Sequence, residues 1–97
     1  MSVTETRAAE PAFVPEKAWR LHPQVALRDE AFGALAYHYG NRRLVFLKSR
    51  QLVELVSTLH EYASAADALE AQLPLSQRAS YERALARLAR SGVIDVV

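Results

Sequence analysis

Ninety-seven residues leave room for one domain, and with no cysteine the chain can build no disulfide framework, cysteine-ligated zinc, iron–sulfur cluster or thiol nucleophile of its own. Twelve Lys and Arg against eleven Asp and Glu give a net charge of +1, short of the basic excess with which nucleic-acid binders hold phosphates. No apolar run approaches the roughly 20 residues of a membrane span, and Met1–Glu10 lack the apolar centre of a secretory signal, so the expected location is the cytoplasm.

Residues 1–18 mix Glu5, Arg7 and Glu10 with Pro11 and Pro15 and show no sustained period, which predicts a mobile N-terminal arm ahead of a domain over 19–97. Trp19, the only tryptophan, stands where it can close one end of a small core. Val25 and Leu27 share one side of a first strand ending near Asp29, and Asp29–Gly33 is a turn-like link. Leu35, Tyr37 and Tyr39 then alternate with Ala34, Ala36 and His38. Gly40 and Asn41 tolerate positive φ and predict a hairpin into Arg43–Leu47, a run rich in strand formers.

The period changes at Ser49, a cap for a helix whose Leu52, Leu55, Val56 and Leu59 fall on one stripe. Ser64 and Asp67 form a capping box that opens a short second helix, which Pro74 discourages beyond about Leu73. Ser76 opens a third helix, with Tyr81, Ala84, Leu85 and Leu88 on a shared face and Gly92 just past its end. Val93–Val97 is an extended tail. A small sheet cannot bury a face alone. The expected fold is therefore α+β, a three-stranded antiparallel sheet followed by three helices, winged helix-turn-helix in character.

Little in this chain suits catalysis. His22, His38 and His60 share no metal-ligand spacing, Ser57 and His60 lack an orienting acid, and three glycines form no phosphate loop. The Asp29–Glu30 pair in a turn reads as solvated. No enzyme and no cofactor are expected. On the third helix Arg83, Arg87 and Arg90 lie within about 60° of one another at about 100° per residue, a face suited to phosphate or acidic side chains or simply to water, with Arg78 apart from it. The strand Arg43–Leu47 lies at a sheet edge if the strands form a meander. Arg42, Arg43 and Lys48 bracket its apolar run, as charges guarding an edge would, yet the same edge could recruit another strand. Its outward N–H groups belong either to Val45 or, in the alternate register, to Leu44 and Phe46.

The run Trp19–Ser49, from Trp-Arg-Leu-His-Pro-Gln-Val through Arg-Arg-Leu-Val-Phe-Leu-Lys-Ser, resembles the MftB family of mycofactocin biosynthesis chaperones. These belong to the PqqD-like group of peptide-recognition domains used to make ribosomally synthesised, post-translationally modified peptides. The likeness continues to about residue 95, through Leu85-Ala-Arg-Leu-Ala-Arg-Ser-Gly-Val-Ile94. It implies three strands followed by three helices, and a precursor peptide whose leader adds as a strand beside the third strand, against the third helix. Here that site is Arg43, Leu44, Val45, Phe46 and Leu47, with a wall drawn from Tyr81, Ala84, Leu85, Arg87 and Leu88. It also implies a partner radical S-adenosylmethionine enzyme, which would hold the iron–sulfur clusters this chain cannot. Neither nucleic acid nor membrane is an expected partner, and the strand edge leaves room for a homodimer. The competing reading is a winged-helix DNA-binding regulator with Arg78, Arg83, Arg87 and Arg90 on DNA.

Overall fold

Strand alternation and turn chemistry place five strands and three helices in the computed structural model, which describes residues 12–97. In chain order these are β1 (Trp19–Leu21), β2 (Val25–Glu30), β3 (Gly33–His38), β4 (Leu44–Leu47), α1 (Arg50–Thr58), α2 (Ala65–Gln72), α3 (Leu75–Arg90) and β5 (Ile94–Val96). A 3-10 turn over Leu59–Glu61 follows α1. The expected α+β fold is present: β2, β3 and β4 form an antiparallel sheet in that order, and three helices follow it.

Three details depart from the sequence reading. β2 runs on to Glu30, so Asp29 and Glu30 belong to a strand; Glu30 pairs with Arg28 at 2.9 Å and Asp29 with Arg50 at 3.8 Å. The tail beyond Gly92 is a strand, and β5 pairs antiparallel with β1, Trp19 opposite Val96. The left-handed residue of the β3–β4 turn is Arg42, at φ 65°, rather than Gly40 or Asn41. Asn41 is committed elsewhere: its Oδ1 accepts from the Arg43 N–H at 2.9 Å and its Nδ2 donates to the Ser91 carbonyl at 3.3 Å.

Local capping sets the helix ends. The Ser49 hydroxyl accepts from the Leu52 N–H at 3.0 Å and the Ser64 hydroxyl from the Asp67 N–H at 3.1 Å. At the end of α3 the Gly92 N–H donates to the Ala89 carbonyl and the Val93 N–H to the Leu88 carbonyl, a Schellman cap with Gly92 at φ +83°. Arg78 holds the other side of the α2–α3 corner, its guanidinium donating to the Leu73 and Glu70 carbonyls. That arginine is committed to holding the corner.

The core lies between the sheet and the helices. Ala34, Ala36 and Leu47 from the sheet meet Leu55, Val56 and Leu59 of the first helical stripe, Leu69 of α2, and Leu85, Leu88 and Ala89 of α3. Gly33, at φ +150°, is required where β3 crosses the end of β4: a Cβ there would lie 2.1 Å from the Leu47 carbonyl oxygen. Trp19 is fully buried at the β1–β5 end, its ring against Phe13 (centroids 5.1 Å) and its Nε1 donating to the Val14 carbonyl at 2.9 Å. Residues 1–11 of the expected arm lie outside the described residues. Further along, the Pro15 and Lys17 carbonyls accept from the Ala66 and Ala65 N–H groups, which open α2 and have no partner within the helix. Packing thus extends back to Phe13.

Candidate functional site

Among the described residues β4 pairs on one side only, with β3, through Ala34–Leu47, Leu35–Phe46, Ala36–Val45 and Tyr37–Leu44. One hydrogen bond sets which of its groups are free. The His38 N–H donates to the Arg43 carbonyl at 3.0 Å, so the facing pairs at Arg43, Val45 and Leu47 are the hydrogen-bonded ones, because such pairs alternate along an antiparallel ladder. The other edge of β3 agrees, since the Tyr39 N–H donates to the carbonyl of Gln24, just ahead of β2, at 2.8 Å. Leu44 and Phe46 therefore aim their N–H and C=O groups away from the sheet. This selects the alternate of the two registers and leaves Val45 without an outward N–H, since that group serves the ladder.

Side chains on this strand divide with the pleat. Val45 and Leu47 face the helices, Leu47 wholly buried. Leu44 and Phe46 stand on the outer face, each 60% exposed. Phe46 meets Phe32 edge to face (centroids 5.7 Å), and with Lys48 the two rings line a shallow recess of about 370 Å³.

On the helix side, β4 and α3 are separated by a groove of two adjoining recesses. One, about 200 Å³, is lined by Lys48, Ser49, Leu52, Ser80, Tyr81, Ala84 and Arg87. The other, about 270 Å³, is lined by Val45, Phe46, Leu52, Ala84, Arg87, Leu88 and Ser91. Leu52, Ala84 and Arg87 border both. Polar contacts span the groove at its two ends: Tyr81 Oη lies 3.3 Å from Ser49 Oγ, and Asn41 Nδ2 donates to the Ser91 carbonyl. They hold strand and helix apart at a fixed width while the middle stays open.

The residues singled out from sequence sort unevenly around this groove. Val45, Phe46, Tyr81, Ala84, Arg87 and Leu88 line it. Leu44 lies beside it on the free edge, and Arg43 precedes the strand, its carbonyl taken by the His38 N–H and its own N–H by Asn41 Oδ1. Leu47 and Leu85 are at 0% exposure and belong to the core; both sit on phases shared with groove residues, so period alone could not separate them. Leu52, on the same stripe as the buried Leu55 and Val56, is half-buried and borders both recesses. Ser49, Ser80 and Ser91, small polar residues with no distinguishing period, also went unread.

His38 fixes the turn that leads into β4. Its ring is buried, and Nδ1 accepts from the Gly40 and Asn41 N–H groups at 3.0 and 3.2 Å. Burial, with the His22 ring tilted against it at 4.4 Å and Arg43 nearby, pushes the His38 pKa below its ordinary value near 6.5. The unfolded chain therefore binds a proton more readily than the folded one, and stability falls as pH drops from about 6.5 toward the lowered value. A His38→Gln variant should show a flatter melting temperature between pH 5 and 7 than the parent. Parallel curves would remove His38 from this role.

Among the described residues no three His, Cys, Asp or Glu are placed to hold a metal ion, and no helix is long and apolar enough to cross a membrane. His60 is exposed, 4.0 Å from Glu61.

Residues 18–95 match the family described as the peptide chaperone MftB family. The chain is 47% identical over 83 residues to the peptide chaperone MftB of Mycolicibacterium smegmatis, covering 84% of this chain and 81% of that protein. It is 55% identical over 56 residues to the namesake of Mycobacterium tuberculosis, covering 58% and 51%, and 44% identical over 84 residues to that of Mycobacterium ulcerans, covering 86% and 77%. No solved structure gives a significant match. A family match across 78 consecutive positions that include both walls of the groove makes this chain a member of the peptide chaperone MftB family.

Proposed function

We propose that this chaperone captures the leader of a ribosomally made precursor peptide as a fourth strand along β4 and presents the remaining peptide to a radical S-adenosylmethionine enzyme in mycofactocin biosynthesis. The observation that carries the reading is the free edge at Leu44 and Phe46, set beside a groove that polar contacts hold open at both ends. An added strand would satisfy the outward backbone groups and send alternate side chains into the groove and over Phe46 and Phe32. Backbone pairing supports capture of an extended peptide, and the recesses supply selectivity. The relatives' name describes a non-catalytic role, so the covalent chemistry falls to the partner.

Hydrogen exchange tests this reading directly. Short peptides encoded beside the gene are titrated in turn. The one that binds should slow exchange of the Leu44 and Phe46 amides by about 100-fold at saturation, while the Val45 amide, already in the ladder, changes much less. Protection confined to other surfaces would overturn strand addition. Duplex DNA titrated at two salt concentrations addresses the regulator: steeply salt-dependent duplex binding would favour DNA recognition.

A further inference from the structure

The two recesses of the groove differ in chemistry. Toward the start of β4, the second is walled by Val45, Phe46, Ala84 and Leu88 and is mainly apolar. The first brings two cations, Lys48 and Arg87, beside the hydroxyls of Ser49, Ser80 and Tyr81, and among the described residues no carboxylate lines it. Ion pairs among the described residues are Arg20–Asp95, Arg28–Glu30, Arg50–Asp29 and His60–Glu61. Lys48 and Arg87 are in none of them, although the chain as a whole carries nearly balanced charge.

We propose that the Lys48–Arg87 recess takes a side-chain carboxylate of the captured strand. The bound segment is then an extended run in which an apolar residue and a Glu or Asp stand two positions apart, both turned toward α3. The inference rests on strand addition along β4, which turns every second residue to the same side, about 7 Å apart. Two such side chains would enter adjoining recesses, which share Leu52, Ala84 and Arg87. A carboxylate placed there would lie beside the Arg87 guanidinium, the hydroxyls of Ser49, Ser80 and Tyr81, and the Lys48 side chain, which also borders the Phe32–Phe46 recess; hydrogen bonds to charged groups are stronger than neutral ones. Lys48 also disfavours a second copy on the edge. Two-fold pairing of β4 about Val45 sets Arg42 opposite Lys48 of the other copy, like charge against like.

The test uses two peptides of about ten residues, acetylated and amidated so that only side chains carry carboxylates. The centre of one reads Glu-Val-Leu-Val-Glu and that of its twin Gln-Val-Leu-Val-Gln; both are palindromic, so strand direction does not matter. At about 20 mM salt the acidic peptide should bind about tenfold more tightly than its twin, and the gap should shrink at about 500 mM. In a Lys48→Gln/Arg87→Gln variant the gap should close while the melting temperature holds, both side chains being exposed. Equal binding of the twins, no binding of either, or a gap that survives in the variant would each overturn the proposal. So would a concentration-dependent dimer that protects the Leu44 and Phe46 amides without peptide. The leader reading is judged separately: if the precursor peptide still protects those amides, only the carboxylate assignment falls, and if it does not, strand addition itself fails.

Discussion

Leu44→Pro and Phe46→Pro are each expected to weaken precursor binding by about 10- to 100-fold, the equivalent of roughly 1.5–3 kcal/mol for one lost backbone hydrogen bond and the partner group it leaves unpaired. Proline has no N–H and is tolerated on an edge strand where that N–H faces away from the sheet, which holds at both positions. Leu44→Ala and Phe46→Ala restore the N–H while removing the side chain. They separate backbone pairing from apolar contact. Val45→Pro is the opposing case, because it strikes the β3 ladder and should lower the melting temperature sharply whatever it does to binding. Isothermal titration with the precursor, paired with thermal melts, reads all five variants. Full binding by both outward prolines would exclude β4 as the docking edge.

Leu85→Ala is expected to cost about 2–5 kcal/mol of stability, since a wholly buried leucine loses its transfer energy and leaves a cavity. Against the 5–15 kcal/mol of a typical domain, that loss would leave a chain this short barely folded. Ala84→Phe, one position away and half-buried at the groove, should keep most of its melting temperature while filling the space an incoming side chain needs. Denaturant melts and peptide titration of the two variants distinguish core from groove. A stable Leu85→Ala that has lost binding would move Leu85 into the site.

The pair also shows where reading the chain in one dimension stops. Ala84 and Leu85 are neighbours on a helix whose apolar stripe is broad enough to include both, and period alone assigns a face without saying what covers it. Leu52 and Leu55 pose the same problem on α1: both lie on the stripe, yet Leu55 is buried under the sheet and Leu52 reaches past the end of β4 into the groove. The helix ends were legible because a cap is a local event. Ser49, Ser64 and Gly92 act on backbone groups within five residues of themselves. The β1–β5 pair could not be read the same way, since Trp19 and Val96 are brought together only when the helices have folded back over the sheet. The left-handed residue of the β3–β4 turn moved to Arg42 for a similar reason: Asn41 is held by Ser91, half the chain away.

By itself the sequence determined the class of the molecule: strands then helices, an apolar strand bracketed by charge, no cysteine for redox chemistry, and a family likeness concentrated in Trp19–Ser49. These follow from local chemistry and composition, which act over a few residues or over the whole chain at once. Tertiary structure decided which atoms are available. A single hydrogen bond from His38 to Arg43 sets the ladder phase and so gives the free edge to Leu44 and Phe46, and two contacts between distant residues, Tyr81 with Ser49 and Asn41 with Ser91, hold the groove open. Availability is a property of what remains unpaired after every other element has docked, and only the packed chain contains that information.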